Sequence, residues 1–332
     1  MSLANLSRLE NKEVLITGGC GFIGSEIVRQ LSTIGANVTI IDNLSSGKQE
    51  YIEGIPNVKL INANIVNEDA VKSIVKDKEY IINNAALPFI PDSYYMPKKF
   101  FDVNVNATIN LALAAIKEKK VKRFTHISSS EIYGTAKTIP MDENHVTLPQ
   151  STYAVSKLAG ERVVFTMHKE HHLPAVIIRP FNSYGPNITQ PYIIPEIITQ
   201  ILKGDKVKLG NINAKRDFTY VSDTARAIIL SLVTDGIIGE VINVGSQRSY
   251  SIKELVNLIS ELMGKKISIE METSRFRPYD VDVLICNYER ANRLLNWKPE
   301  ISIRQGLKET IEWIKKENFA IKVSFTERYG IE

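Results

Sequence analysis

The stretch "TGGCGFIGS", residues 17–25, follows a short apolar run and opens an amphipathic segment, and it decides the fold class. Glycine lets the backbone turn tightly and approach a ligand closely. A helix that starts near Phe22 has unpaired backbone N–H groups at its first turn, and these groups can bind a pyrophosphate. The sequence therefore predicts a dinucleotide site formed by Gly18, Gly21, Phe22, Ile23 and Gly24.

An acidic residue closes the second apolar run, "NVTIID", about twenty residues after the glycines. There the carboxylate of Asp42 can accept hydrogen bonds from both hydroxyls of an adenosine ribose. The same carboxylate would repel a 2′-phosphate. We therefore expect the cofactor to be NAD and not NADP.

Apolar runs and amphipathic stretches alternate through the first half of the chain. Further strands are expected in "VKLINANI", "YIINNAA", "RFTHISS" and "AVIIRPF". Continuous apolar strands separated by helices predict a parallel sheet covered on both faces, in a Rossmann-type doubly wound α/β fold. We expect an NAD-binding domain over residues 8–180, with later segments around 212–245 returning to it. A smaller C-terminal α/β lobe for substrate is expected mainly over residues 181–320.

A tyrosine and a lysine lie one helical turn apart in "STYAVSKLAGE". Tyr153 and Lys157 share one face of a helix that Ser151 is expected to cap. A free phenol is a poor base at neutral pH, but a nearby ammonium group stabilises the phenolate. Tyr153 is therefore a candidate base that removes a proton from a sugar hydroxyl as hydride leaves the same carbon.

Together with these motifs, "ISSSEIYG", "RPFNSYGP", "RDFTYVSD" and "RPYD" make the chain resemble the extended short-chain dehydrogenase/reductase family of nucleotide-sugar epimerases, dehydratases and decarboxylases. The resemblance covers about residues 11–316 and implies an NAD cofactor and a nucleotide-sugar substrate. It implies catalytic roles for Ser129, Tyr153 and Lys157. By position it adds the cofactor contacts Asn43, Asn64, Ile65, Ala85, Ala86, Leu87 and Asn104. It also adds the substrate contacts Asn182, Arg216, Arg277 and Asp280.

A carboxylate stands two places after the expected catalytic serine, in "SSE" at residues 129–131. A serine and a glutamate after a strand can simply turn the chain. In the family, however, simple 4-epimerases usually lack this carboxylate, whereas dehydratases and decarboxylases commonly have it. In a 4,6-dehydratase it removes the C5 hydrogen after oxidation at C4. Ser130 stands where some dehydratases carry an acidic proton donor, so Glu131 is expected to serve as base and then as acid.

The sequence favours a 4,6-dehydratase and leaves open a 4-epimerase and a UDP-glucuronate-type decarboxylase. The C-terminal half most resembles dehydratases of the legionaminic-acid type, which points to an N-acetylhexosamine nucleotide, while the base stays open. A cofactor-sensing protein without catalysis would predict loss of Ser129, Tyr153 or Lys157, and all three are present.

Composition limits the other functional classes. The net charge of +4 comes without a dense basic block, so no nucleic-acid partner is expected. Two cysteines and no metal-binding histidine spacing predict neither disulfides nor a metal site. Without a signal peptide or a long apolar run, no membrane association is expected, and we expect a cytoplasmic protein. By resemblance, helices at about 96–118 and 151–170 would pair two copies into a homodimer.

Overall fold

The computed structural model describes residues 6–276, 279–317 and 319. Its strands are β1 Glu13–Thr17, β2 Asn37–Asp42, β3 Val58–Asn62, β4 Tyr80–Asn83, β5 Arg123–Ile127, β6 Ala175–Pro180, β7 Asn182–Tyr184, β8 Lys206–Leu209, β9 Lys215–Tyr220, β10 Val241–Val244, β11 Ser249–Ser251 and β12 Ser268–Met271. Its α-helices are α1 Phe22–Ile34, α2 Glu68–Val75, α3 Ile90–Tyr95, α4 Pro97–Phe101, α5 Ala107–Lys117, α6 Thr152–His171, α7 Ile193–Lys203, α8 Val221–Val233, α9 Ile252–Met263, α10 Glu289–Leu295 and α11 Ile303–Lys316.

Seven strands form one parallel sheet in the order β3-β2-β1-β4-β5-β6-β10. Helices connect the strands, so each crossover returns the chain to the same end of the sheet before the next strand. The predicted Rossmann-type doubly wound sheet is confirmed. The order reverses between β1 and β4, and ligands bind at the carboxyl ends of the strands at such a switch point.

Side chains alternate between the two faces of β1, and each face is covered by helices. Val14 and Ile16 belong to the core that α1 and α8 cover. Leu15 points to the opposite core, which contains apolar residues of α2, α5 and α6. Burial on both faces explains why the strands read as continuous apolar runs and not as an alternating pattern.

The second lobe has a separate apolar core. Helices α7, α9 and α11 pack there around a three-stranded sheet, in the order β11-β9-β7, and the parallel pair β12-β8. Strand β10, at the edge of the main sheet, lies between segments of this lobe in the sequence.

The prediction of a single long helix over about residues 96–118 is wrong in detail. It is divided into α4, a π-helical stretch Asp102–Asn106, and α5. The wider π turn contains Asn104, whose side chain bonds backbone groups of a neighbouring loop. Such interruptions are frequent at functional sites, and helical periodicity alone does not indicate where they occur.

A buried carboxylate fastens α8 to the segment that precedes α11. Asp223 Oδ2 accepts hydrogen bonds from the backbone N–H groups of Glu300 and Ile301, both at 2.9 Å. Its other oxygen accepts from Arg226 at 2.8 Å. The indole N–H of Trp297 donates to the Asp223 carbonyl at 2.9 Å.

We expect Asp223→Ala to lower the free energy of unfolding by about 2–4 kcal/mol, because three donors lose a buried acceptor. Asp235→Ala is the control, since Asp235 forms an exposed ion pair with Arg8, and such pairs contribute about 1 kcal/mol or less. Urea unfolding measures both variants. Equal losses would contradict a structural role for Asp223.

Candidate active site

The loop between β1 and α1 brings the predicted glycines against one another. Gly18 has a φ of +68°, a conformation that side chains rarely adopt. A Cβ atom on Gly24 would lie 2.1 Å from the Gly18 carbonyl oxygen, so α1 can pack this close only with glycine at position 24. Gly21 caps α1, and no side chain in the described part of the chain caps it in its place. The N–H groups at Phe22 and Ile23 therefore face a cradle that fits a dinucleotide pyrophosphate.

The carboxylate of Asp42 supports this loop at the end of β2. Its oxygens accept hydrogen bonds from the backbone N–H groups of Cys20 at 3.0 Å and Leu44 at 2.8 Å. Its negative charge lies where the adenosine ribose of a dinucleotide would sit. Burial raises the pKa of the Cys20 thiol to about 12, with a smaller contribution from Asp42, so Cys20 is not a reactive thiol.

The other residues expected on the adenosine side follow β2 and β3. Asn43 and Asn64 are exposed, and each holds a local turn by accepting from a backbone N–H two residues ahead. Ile65 is buried. The structure thus places all three at the carboxyl ends of neighbouring strands, beside Asp42.

The segment after β4 is fixed from both sides. The Thr17 hydroxyl accepts from the backbone N–H groups of Asn84 at 3.0 Å and Ala85 at 2.9 Å. Asn104 accepts from the Leu87 N–H at 2.9 Å. It also donates to the Ser156 hydroxyl at 2.9 Å, so it connects this segment to α6. Ala85, Ala86 and Leu87, predicted as backbone contacts of the cofactor, are half-buried along this segment.

A short 3₁₀ turn, Ser130–Tyr133, follows β5 and presents the "SSE" residues. Ser129 caps the turn, and its hydroxyl accepts from the Glu131 N–H at 3.2 Å. Ser129, Ser130 and Glu131 are all buried and line the same cavity. Glu131 is only 8% exposed, so this carboxylate is not an ordinary surface residue of a solvated turn.

Helix α6 delivers the tyrosine and the lysine to this cavity. Ser151 caps it as predicted, accepting from the Ala154 N–H at 3.1 Å. The Lys157 ammonium donates to the Ile127 carbonyl at 2.5 Å, at the end of β5. That bond holds the face of α6 that carries Tyr153 and Lys157 against the turn that follows Ser129.

Burial disfavours the charged forms of both Tyr153 and Lys157. Burial raises the pKa of Tyr153 to about 12; a hydrogen bond with Ser129 lowers it, and the charge of Glu131 raises it. Burial lowers the pKa of Lys157 to about 8, against the raising effect of Glu161. Tyr153 is therefore a base only when additional positive charge stabilises its phenolate, as the oxidised nicotinamide ring of bound NAD would.

One cavity of about 750 Å³ extends from the glycine loop past Glu131 and Tyr153 into the second lobe. At the far end, Arg216 bonds Asp280 at 3.1 Å. Asn182 lies between the two ends, and its buried Oδ1 has no hydrogen-bond partner in the described residues. Arg277, the other predicted phosphate contact, lies outside the described residues.

Aromatic side chains form a wall of the cavity that the motifs did not indicate. Phe89, Tyr94 and Tyr192 line it, and the rings of Phe89 and Tyr192 meet edge to face at 6.2 Å. They come from two segments distant in sequence. A sugar ring placed beside Tyr153 would have this apolar wall on one side and the Ser129–Glu131 turn on the other.

The described residues contain neither a metal cluster nor a membrane span. No cluster of three or more His, Cys, Asp or Glu side chains is arranged to hold a metal ion. No helix there is long and apolar enough to cross a membrane.

Comparisons with known proteins agree with this geometry. The family model for GDP-mannose 4,6 dehydratase matches residues 15–310. A putative UDP-glucose 4-epimerase of Methanocaldococcus jannaschii is 32% identical over 92% of this chain and 99% of its own. A UDP-N-acetyl-alpha-D-glucosaminuronate decarboxylase of Bacillus cytotoxicus is also 32% identical, over 92% of this chain and 98% of its own.

Among solved structures, dTDP-glucose 4,6-dehydratase from Bacillus anthracis in complex with NAD is 29% identical, with a TM-score of 0.82 over 92% of this chain and 97% of that chain. The relatives thus include an epimerase, a decarboxylase and a dehydratase at similar identity. The chain belongs to the GDP-mannose 4,6 dehydratase family, the NAD-dependent nucleotide-sugar epimerases, dehydratases and decarboxylases of the extended short-chain dehydrogenase/reductase type.

Proposed function

We propose that this protein is a nucleotide-sugar 4,6-dehydratase. The observation that carries the proposal is the buried carboxylate of Glu131, which lines the cavity beside Tyr153 and influences its pKa. A 4-epimerase needs only Ser129, Tyr153 and Lys157, so Glu131 would have no task in it. Elimination of water requires a base for a carbon-bound hydrogen, and a carboxylate within reach of the sugar supplies one.

The first step is oxidation at C4. Tyr153 removes the proton of the C4 hydroxyl, and Lys157 and Ser129 stabilise its phenolate. Bound NAD would supply the hydride acceptor for C4 and the hydride donor for C6, and it would not be consumed. Lys157 serves this step while it is charged, which requires a pH below its pKa of about 8.

The second step is elimination across C5 and C6. The C4 ketone acidifies the C5 hydrogen, and Glu131 removes this proton. Ser130 and the newly protonated Glu131 stand beside the departing C6 hydroxyl, which takes the proton and leaves as water. Glu131, protonated again from solvent, delivers a proton to C5 as hydride reaches C6, while Tyr153 releases the C4 hydroxyl proton to solvent. The product is a 4-keto-6-deoxy sugar nucleotide.

The far end of the cavity suits the nucleotide diphosphate. Arg216, with Arg277 beyond the described residues, would bind its charge, Asn182 would contact it, and Asp280 would bind the nucleotide ribose. We propose an N-acetylhexosamine as the sugar, because the C-terminal motifs resemble dehydratases of the legionaminic-acid type.

The positive side chains in the described part of the cavity weigh against a decarboxylase. They are Lys157, Lys203, Arg216 and Arg275. Lys157 bonds the Ile127 carbonyl, Arg216 bonds Asp280, and Arg275 bonds Glu196 at 2.8 Å. A uronate substrate would need a cation near C5. Lys157 and Arg275 already bond protein groups, and Arg216 is assigned to the diphosphate.

Three further features belong to the proposal. We propose a division into an NAD-binding domain at 8–180, joined by segments around 212–245, and a substrate lobe mainly at 181–320. The place of β10 in the main sheet supports the return of the later segments to the NAD-binding domain.

We propose a cytoplasmic enzyme, because NAD and nucleotide sugars are available in the cytoplasm. We propose a homodimer formed by α5 and α6, whose Leu113 and Val155 are exposed.

Replacing the tyrosine tests whether the site is catalytic. We expect Tyr153→Phe to lower turnover at least about 100-fold, because oxidation at C4 loses its base. NAD binding, measured by thermal shift, should persist. The control is Tyr220→Phe, which removes a buried hydroxyl bonded to Glu309 outside the cavity. Unchanged turnover in Tyr153→Phe would refute the assignment of Tyr153 as the base.

Replacing the carboxylate tests the dehydratase proposal. We expect Glu131→Gln to lower product formation at least about 100-fold while oxidation at C4 continues, since only the C5 base is lost. Absorbance of the reduced cofactor during a single turnover follows the first step, and deuterium incorporated from solvent at C5 follows the second. Glu309→Gln is the control. Full elimination activity in Glu131→Gln would refute the assignment.

Replacing the exposed apolar residues tests the dimer. The double variant Leu113→Glu and Val155→Glu should sediment as a monomer, because charge cannot be buried unpaired in an apolar interface. Ile238→Glu, which alters an exposed apolar residue elsewhere, should leave the assembly unchanged. A parent protein that sediments as a monomer would contradict the proposal directly.

A further inference from the structure

Behind the cavity lies a buried ion pair that neither step of the proposed reaction uses. Arg179 on β6 forms two hydrogen bonds with Glu161 on α6, from Nε at 2.9 Å and from an Nη atom at 2.5 Å. Their side chains are 7% and 1% exposed. A buried ion pair costs desolvation and often adds little to stability, so its contacts with the site are a better guide to its role.

The pair connects to both ends of the turn that carries Glu131. At the first end, the Ser128 hydroxyl donates to Glu161 at 2.6 Å. At the other end, Arg179 donates to the Tyr133 hydroxyl at 2.6 Å and lies over the Tyr133 ring, with its Cζ 5.0 Å from the ring centroid. Ser128 directly precedes Ser129, and Tyr133 closes the 3₁₀ turn that begins at Ser130.

The same pair connects to the helix of the catalytic tyrosine. Glu161 lies one turn after Lys157 and two turns after Tyr153 on α6. The titratable and charged groups around Lys157 are Tyr153 and Glu161 on its own helix and His126 on β5. Burial, with a smaller effect of Lys157, lowers the pKa of His126 well below its usual value, so His126 is neutral there. Glu161 is then the acidic group that favours the ammonium form of Lys157.

The Ser130–Tyr133 turn is also bonded to the edge strand β10. The Tyr133 hydroxyl donates to Asn243 Oδ1 at 2.8 Å, on the edge strand β10. Asn243 Nδ2 donates to the Met141 carbonyl at 3.1 Å. The bonds of Ser128, Glu161, Arg179, Tyr133 and Asn243 thus form one chain across β5, α6, β6 and β10.

We propose that Glu161 and Arg179, acting through Ser128 and Tyr133, are positioning residues that hold the Ser129–Glu131 turn against Tyr153 and Lys157. This inference rests on the proposed function for Glu131, and it deepens that function. Loss of one hydroxyl at either end would let the carboxylate move relative to the sugar, and a misplaced base is a slow base.

Two hydroxyl deletions test the positioning without disturbing the ion pair. In Tyr133→Phe and Ser128→Ala, kcat for elimination should fall about tenfold, with KM changed less than about twofold. Tyr220→Phe, which loses a buried tyrosine–carboxylate bond outside the cavity, should keep its kcat. If both variants keep the parent's kcat, or lose no more than Tyr220→Phe does, the positioning role is overturned.

A charge deletion tests the effect on Lys157. Glu161→Gln should move the alkaline limb of the pH profile for C4 oxidation to lower pH, because the pKa of Lys157, already lowered to about 8 by burial, loses the group that raises it. Since Arg179 would be left unpaired, the double variant Glu161→Gln and Arg179→Met is measured beside it. Glu161→Asp should restore the limb. An alkaline limb unchanged in both charge-deleted forms would overturn this part.

The outcomes separate this inference from the proposed function. If the parent protein epimerises its substrate without elimination, the dehydratase proposal fails, yet the pH limb of C4 oxidation still tests the role of Glu161. If the parent eliminates water and the variants match it, the dehydratase proposal stands and the positioning network fails.

Discussion

The site depends on the parallel alignment of the strands in the main sheet. Because every strand runs in the same direction, the loops that follow the strands all emerge at the carboxyl edge of the sheet. The strand order reverses between β1 and β4, and ligands bind at this point of the edge. Most of the functional segments lie at strand ends: the glycine loop after β1, Asp42 closing β2, Asn64 after β3, Ala85 after β4, Ser129 after β5 and Asn182 after β6. Tyr153 and Lys157 come from helix α6. Phe22, Ser129 and Asn182, which are distant in sequence, therefore line one cavity.

Burial then determines what the assembled groups can do. The same desolvation raises the pKa of Tyr153 and lowers that of Lys157, so both side chains favour their neutral forms. The charged forms therefore have to be stabilised by neighbouring groups. A hydrogen bond with Ser129 lowers the pKa of Tyr153, and the charge of Glu161 raises the pKa of Lys157. The positive ring of a bound cofactor would also stabilise the phenolate and would link proton removal to hydride transfer.

Much of the fold could be predicted because it follows from local patterns. Apolar runs bounded by glycines predict the strands, and the Tyr153–Lys157 spacing requires only one helical turn. The π turn at Asn104 could not be predicted, since helical periodicity does not reveal it and the Asn104 side chain bonds Leu87, which is distant in sequence. The aromatic wall and the Arg179–Glu161 pair likewise arise from tertiary packing. One signal for the pair was available: Glu161 continues the spacing of Tyr153 and Lys157 by another turn.

Within the family, a few side chains on a common fold determine which reaction occurs, and overall similarity does not separate the activities.

The most direct test incubates the purified protein with UDP-N-acetylglucosamine, GDP-N-acetylglucosamine, UDP-glucuronate and GDP-mannose in separate reactions. The reactions are run in deuterated water without added reductant, and the product masses are recorded. We expect one sugar nucleotide to lose the mass of one water and to retain one solvent deuterium at carbon. A product of unchanged composition with inverted C4, or one that has lost carbon dioxide, would contradict the dehydratase proposal.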